Sequence, residues 1–441
     1  MASTPSFRDL VKVFARIGCL SFGGPAGQIA LMHKELVEDR QWIAEGPFLR
    51  ALNFCHLLPG PEAQQLATYI GWRLYGPRGG LAAGMLFVVP GAIVILALSI
   101  LYVQAAVLPW FPAVFLGVKA AVLALVVQAL WRIAGRALKG RLQVVLAILS
   151  FIALFALALP FPAVVLGAGA AGMIVARFRP AWLGLKDGDG ESGSAGCERT
   201  PLLVPTLRTV ARWLAIWLLP LLMLWAALGG DHLLVAIGLF FSKLAIVTFG
   251  GAYAVLAYMA QAAVETHHWL RPGEMADGLG LAETTPGPLI MVTQFVGFLA
   301  AYRMPEPFSP LVAGMIGALV TSWVTFAPCF LWIFAFAPWI ERLEHARTLH
   351  GGLAALTGAV VGVIANLALW FGLHLLFARV GTVRPGPLRI AWPDWASIDP
   401  AALALSLLGL HVLLVQRRSV PVTLAICAGA ALLLYGVREA G

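Results

Sequence analysis

Two basic residues stand at equivalent places inside apolar runs: Arg16 lies five residues before Ser21, and Lys243 lies five residues before Thr248. Five residues of helix rise about 7.5 Å. A cation in an apolar segment costs several kcal/mol unless it finds a partner, snorkels or lines a wet cavity. A cation and a hydroxyl placed this way suit an oxyanion. Each hydroxyl is followed by Phe-Gly-Gly, at Phe22-Gly23-Gly24 and again at Phe249-Gly250-Gly251, and further on by Pro-Gly-Pro, at Pro59-Gly60-Pro61 and again at Pro286-Gly287-Pro288. Gly relaxes the backbone, and Pro is welcome at the first helical position but not inside, so each triplet ends one helical piece and begins another. The N–H groups of such a start point into the break with about half a positive charge, and four starts facing one cavity supply about two units, matching a dianion. The plainer reading of any one triplet is close packing or a kink, both common in membrane helices; four at matched positions favour a ligand.

Titratable residues inside the apolar runs are few. Lys119 is flanked by apolar residues and suits a private counter-ion. Glu62 falls in the first turn after Pro61, where a carboxylate complements the helix dipole as readily as it carries a proton. Glu283 lies three residues before Pro286 and matches His56 in the first copy, so a titratable group recurs at that spot and suggests proton coupling; both residues could equally hold the break together. Asn53, Gln64, Gln65, Thr68, Thr284, Thr285 and Gln294 complete a neutral polar lining able to hydrogen-bond oxygen atoms. Glu38 and Glu265, four residues before Trp42 and Trp269, read as interfacial, with Trp at the headgroup level. His232, His267 and His268 complete no ligand set with Cys or carboxylate. The five cysteines, Cys19, Cys55, Cys197, Cys329 and Cys427, are scattered without paired spacing. No metal, cofactor or disulfide is expected.

The elements that must carry these residues are membrane helices. Of 441 residues, 60% are hydrophobic and 12% charged, far from a soluble domain. Runs such as Leu81 to Tyr102 and Pro112 to Trp131 are long enough to cross a bilayer, and a lipid-facing backbone must satisfy its own hydrogen bonds by forming helix. The net charge of +9 sits in short loops, where topology explains it and nucleic acid is not implied. The polar start, Met1 to Lys12, leads into an interrupted helix, so no cleavable signal peptide is expected.

The chain reads as an internal duplication. Phe14 matches Phe241, Arg16 matches Lys243, Ser21 matches Thr248, Glu38 matches Glu265, Trp42 matches Trp269 and Leu52 matches Leu279, all at one offset of 227. An insertion near Met304 to Pro310 then widens the offset, pairing Pro90 with Pro328 and Trp131 with Trp370. The expected organisation is a repeat at 1–180, a cytoplasmic linker at 181–205, an extra transmembrane helix at 206–230 and a second repeat at 231–441. Six crossings per copy plus the extra one give about thirteen, and the extra crossing between the copies turns the second upside down. Most Lys and Arg then fall in cytoplasmic loops with the N-terminus inside. The broken segments near Gly23 and Pro59 span or form re-entrant hairpins. The predicted fold is all-α and polytopic, two inverted-topology repeats with broken helices, the arrangement of transporters that bind substrate between their halves.

Four strings carry a resemblance to a known family: LSFGGPAGQIALMHKE (Leu20 to Glu35), LNFCHLLPGPEAQQLATYIGW (Leu52 to Trp72), VTFGGAYAVLAYMAQ (Val247 to Gln261) and GLGLAETTPGPLIMVTQFVGF (Gly278 to Phe298). The chain resembles the long-chain chromate ion transporter family over nearly its whole length. That resemblance implies export of chromate from the cytoplasm as resistance, sulfate as the related anion, an inner-membrane multi-pass location and two antiparallel halves; a homodimer is compatible with it. It puts Arg16, Asn53, Glu62, Lys243 and Glu283 with the triplets forward as site residues. His56 departs from it, standing where an apolar residue such as methionine is expected. The rivals are a sulfate or other oxyanion carrier, an anion/proton exchanger, a channel, and an intramembrane enzyme using Glu62 or Glu283 with His56; no paired carboxylates or HExxH motif supports the enzyme.

Overall fold

The structure is a computed structural model that describes residues 5–22, 24–179, 182, 203–249, 252–271, 273–340, 347–384, 386 and 388–440. Gly23, Gly250 and Gly251, and most of the expected linker at 181–205, lie outside the described residues. The chain is all-α and polytopic. Its α-helices are α1 (Phe7–Leu20), α2 (Gly24–His33), α3 (Glu45–Leu57), α4 (Glu62–Ala105), α5 (Phe111–Ala137), α6 (Arg141–Phe155), α7 (Phe161–Phe178), α8 (Leu203–Leu228), α9 (Leu233–Val247), α10 (Ala252–Gln261), α11 (Glu274–Thr284), α12 (Val292–Arg303), α13 (Pro310–Phe336), α14 (Arg347–Leu376), α15 (Pro400–Leu410) and α16 (Val420–Ala440). Seven helices among the described residues are long and apolar enough to cross a membrane, and Arg141–Phe155, Leu233–Val247, Leu289–Arg303 and Pro400–Val415 are shorter apolar ones.

Local chemistry sets many of these boundaries. The Ser6 hydroxyl accepts from Asp9 N–H to cap α1, and Asp399 accepts from Ala401 and Ala402 N–H ahead of Pro400 to start α15. Within α4, Tyr75 and Gly76 leave helical geometry, with Gly76 at φ 63°, so Pro77 begins a fresh helical piece. One antiparallel hairpin interrupts the helical pattern: β1 (Val380–Val383) pairs with β2 (Ile390–Pro393), with Val380 opposite Pro393. Its β-branched Val380, Thr382, Val383 and Ile390 favour a pleated strand over helix. Replacing Asp399 by alanine removes two accepted hydrogen bonds at a helix start. The expected loss is about 1 kcal/mol, read as a lower melting temperature of the detergent-solubilised protein.

The described residues cluster into two compact units, each drawing on both sequence copies. The first comprises Met1–Ile100, Gly188–Ala252 and Thr285–Ala346, and the second Leu101–Asp187, Tyr253–Thr284 and Arg347–Gly441. In the first, Leu10, Phe14 and Ile17 of α1 join Phe48 and Phe54 of α3, Leu66 and Ile70 of α4, and Phe330 and Ile333 of α13 in one core. Trp213 of α8 stacks on Phe330 at 5.6 Å. In the second, small residues bring helices together: a Cβ on Gly172 of α7 would fall 2.5 Å from the Gly351 carbonyl oxygen of α14, the close approach that membrane helices use in place of a hydrophobic drive.

Local structure recurs at the offset of 227. The Ser21 hydroxyl donates to the Ile17 carbonyl and the Thr248 hydroxyl to the Leu244 carbonyl, each at 2.6 Å. π-helical turns follow at Lys34–Asp39 and Ala262–Thr266. Gln41 and His268 are both left-handed at φ 54°, and Gly60 and Gly287 take φ 123° and 96°. The N–H groups of Trp42 and Ile43 donate to the Leu36 carbonyl, as those of Trp269 and Leu270 donate to that of Ala263.

Candidate functional site

In the first unit the breaks of the two copies cross. Gly60 N–H of the first Pro-Gly-Pro donates to the Thr248 carbonyl at 2.8 Å, and Gly287 N–H of the second donates to the Ser21 carbonyl at 3.0 Å. Gly60 shifted by 227 is Gly287, and Thr248 shifted back by 227 is Ser21, so the two bonds exchange partners at that offset. The two glycines need their positive φ, and there is little room for a side chain at Gly60, where a Cβ would lie 2.8 Å from Gln65 Nε2 and 2.9 Å from Cys329 Sγ.

Buried amides line this crossing. Gln28 Nε2 donates to the Gly287 carbonyl at 2.6 Å and lies 3.5 Å from the Ser21 carbonyl. Gln65 Nε2 donates to the Pro59 carbonyl at 2.7 Å, and Gln64 Nε2 to the Thr68 hydroxyl at 3.1 Å. Gln294 Nε2 donates to the Ala92 carbonyl at 2.8 Å while its Oε1 accepts from Ser322 at 3.0 Å. The side-chain oxygens of Gln28, Gln64 and Gln65 are buried without a hydrogen-bond partner, a costly state that marks the region as polar beyond its packing needs. The first helical bond of α4 runs from Gln65 N–H to the Pro61 carbonyl, leaving the preceding N–H groups outside the helical ladder.

The residues singled out in the sequence are only partly gathered here. Ser21, Thr248, Pro59, Gly60, Pro61, Gln64, Thr285, Pro286, Gly287 and Pro288 are buried, whereas Asn53 and Thr284 are exposed, and the Thr284 hydroxyl bonds back to the Gly280 and Leu281 carbonyls. Gly24 opens α2 at φ 71°. Neither matched cation is buried in the chain. Arg16, off the α1 face that carries Leu10, Phe14 and Ile17, is 59% exposed and sits 3.6 Å from Glu35, which also pairs with Arg40. Lys243 is exposed and makes no ion pair among the described residues. His56 Nδ1 lies 3.5 Å from Glu62 Oε1, so two residues read separately as coupling candidates form a pair.

Three buried carboxylates of the second unit, Glu274, Asp277 and Glu283, lie on α11. Glu283 accepts from the Tyr253 hydroxyl at 2.7 Å. Asp277 accepts from the Tyr102 hydroxyl at 2.8 Å and stands 3.5 Å from Lys119 Nζ. Asp277, Tyr102, Tyr253 and Gln28 escaped the sequence reading. A single acid facing a single base among apolar runs, Asp277 and Lys119, was the available signal. Among the described residues no three His, Cys, Asp or Glu side chains form a metal cluster.

Comparisons with known proteins agree on one family. The family model described as "Chromate transporter" matches residues 8–173 and 235–434. The chain is 30% identical to the chromate transport protein of Cupriavidus metallidurans over 98% of this chain and 93% of the relative. It is 33% identical to the chromate transport protein of Pseudomonas aeruginosa over 81% of this chain and 79% of the relative, and 29% identical to a probable chromate transport protein of Synechococcus elongatus over 82% and 84%. No solved structure matches. With helices fit to cross a bilayer and a match through both copies, this chain is a multi-pass membrane protein belonging to the chromate transporter family, a family of transporters rather than enzymes.

Proposed function

We propose that this chain carries chromate out of the cytoplasm, binding the tetrahedral dianion where the Pro-Gly-Pro turns meet Ser21 and Thr248, with sulfate as a competing ion. The exchanged pair of hydrogen bonds, Gly60 to Thr248 and Gly287 to Ser21, supports this reading most directly. A two-fold relation between the copies generates such an exchange, and the one extra crossing between six-crossing copies makes that relation an inversion. When the crossing opens, both glycine N–H groups are released beside the amides of Gln28, Gln64 and Gln65 and the first-turn N–H groups of α4. Such donors suit an oxyanion. The copies then rock to present the ion to the other side. Moving a dianion out of a negative interior is favourable by about 2.3 kcal/mol per charge per 100 mV, hence roughly 4 to 5 kcal/mol without chemical fuel.

Lys243, with no ion-pair partner among the described residues, supplies an uncompensated charge, whereas Arg16 shares Glu35 with Arg40. Labelled chromate flux in proteoliposomes, measured at clamped voltage with and without sulfate, tests the reading. Saturable flux that grows with an inside-negative potential and falls on adding sulfate is expected; flux indifferent to voltage would overturn it. Lys243→Ala lowers that flux about tenfold, equivalent to about 1.4 kcal/mol, and Arg16→Ala lowers it less. Unchanged flux in Lys243→Ala removes the lysine from the site.

A further inference from the structure

We infer that Asp277 is a proton-binding site of this transporter, with Lys119 as its resident counter-ion and Tyr102 as its fixed hydrogen-bond donor; the inference rests on the transport reading above. The site lies within the second unit, among residues of α4, α5 and α11. Asp277 is 2% exposed. One carboxylate oxygen, Oδ2, is held by the Tyr102 hydroxyl at 2.8 Å. The other, Oδ1, lies 3.5 Å from Lys119 Nζ, and among the described residues no closer donor reaches it. A purely structural ion pair at this depth closes both oxygens, because an unsatisfied buried acceptor is expensive. Here Tyr102 holds Oδ2 at 2.8 Å, while Oδ1 meets only the more distant Lys119 ammonium.

Beside Lys119 is a small cavity of about 20 Å³, lined also by Leu123, Gly273, Ala276, Phe371 and His374, which is room for one water. Glu274 lies a turn before Asp277 on α11, and its charge acts on Asp277 together with that of Lys119. The groups that set proton occupancy at Asp277 are therefore Lys119, Tyr102, Glu274 and, across the cavity, His374. Glu283, a third buried carboxylate of α11, is held in the same manner by the hydroxyl of Tyr253. A proton from water adds to Oδ1 without breaking the Tyr102 bond, and the same proton returns to water on release. Loading it leaves Lys119 without a counter-charge; releasing it restores a neutral pair. Each half of that cycle changes the net charge of the second unit by one, so proton occupancy and any step that senses this charge are linked.

Asp277→Asn keeps the shape and the Tyr102 contact while fixing the site in one protonation state. Two measurements test the inference. In weakly buffered detergent, adding chromate to the purified protein changes the number of bound protons, read with a pH dye; in proteoliposomes, an imposed pH gradient at zero voltage drives labelled chromate. Asp277→Asn is expected to lose both responses and to retain voltage-driven flux. Because the single variant leaves Lys119 unpaired and is at risk of misfolding, Lys119→Gln combined with Asp277→Asn supplies a variant with no buried charge there, and it is expected to behave the same way. Tyr102→Phe, which removes only one donated bond, moves the midpoint of the proton response to higher pH. Proton responses that persist in the double variant, or a wild type that moves chromate with voltage yet shows no proton response, overturn the inference while leaving the transport reading intact. Absence of any chromate flux in the wild type overturns the transport reading instead.

Discussion

Gly91→Val should abolish chromate flux and lower the melting temperature of the solubilised protein by several degrees. A Cβ on Gly91 would fall 2.4 Å from the Pro286 carbonyl oxygen and 3.3 Å from Gly287 Cα. Both neighbours are backbone, and both belong to the Pro-Gly-Pro turn whose Gly287 N–H completes the crossing with Ser21. No side-chain rotation relieves such a contact. The helix bearing Gly91 must retreat, or the turn must shift and lose its bond to Ser21. Overpacking of this kind costs about 1 to 3 kcal/mol, before the displaced N–H and carbonyl add the penalty of buried unpaired groups. A control is Gly167→Val on α7, where a Cβ meets nothing within 4 Å. Flux and melting temperature at wild-type levels in Gly91→Val would mean the turn is free to move and the crossing is not a close fit.

The second large effect is expected at Gln28. Its amide nitrogen faces two carbonyl oxygens, Gly287 at 2.6 Å and Ser21 at 3.5 Å. In Gln28→Glu that nitrogen becomes a carboxylate oxygen, which donates nothing when ionised and meets two acceptors in a buried place. Either a charge is buried without a partner or a proton is held to keep the side chain neutral. The same negative charge repels a dianion at the crossing, so flux should fall by about a hundredfold or more, about 2.7 kcal/mol. Gln28→Leu is the milder change. It loses the donated bond but also removes Gln28 Oε1, which has no partner, so these two stability effects offset one another and the cost stays near 1 kcal/mol. Chromate flux measured for the two variants side by side separates charge from shape. Equal flux in Gln28→Glu and wild type would rule out an anion path past this residue.

Much of this was legible before any coordinates. Glycine and proline act on the backbone at their own position, so the breaks, and the membrane helices between them, follow from the sequence. The offset of 227 could be read because rare Arg, Lys, Glu and Trp mark it. What the breaks touch was not legible, since Gly60 meets Thr248, and Gln28 meets Gly287, across stretches longer than any local rule reaches. Arg16 shows the same limit. A cation in an apolar run announces that a partner is needed, but Glu35 becomes that partner only because the chain turns through the π-helical segment Lys34–Asp39. Asp277 was hidden because its counterpart at the offset of 227 is Arg50; a search guided by repetition passes over a residue that breaks the repetition. The hairpin Val380–Val383 with Ile390–Pro393 was hidden because two four-residue strands are too short to stand out among long apolar runs.

The swapped bonds at the crossing carry one more consequence. A single copy cut from this chain holds a donor at Gly60 and an acceptor at Ser21 that cannot answer one another, since each is completed from the other copy. Each Pro-Gly-Pro turn is therefore closed only by the other half of the sequence. A change at Ser21 or Thr248 is felt at a turn more than 180 residues away in the chain, Gly287 or Gly60.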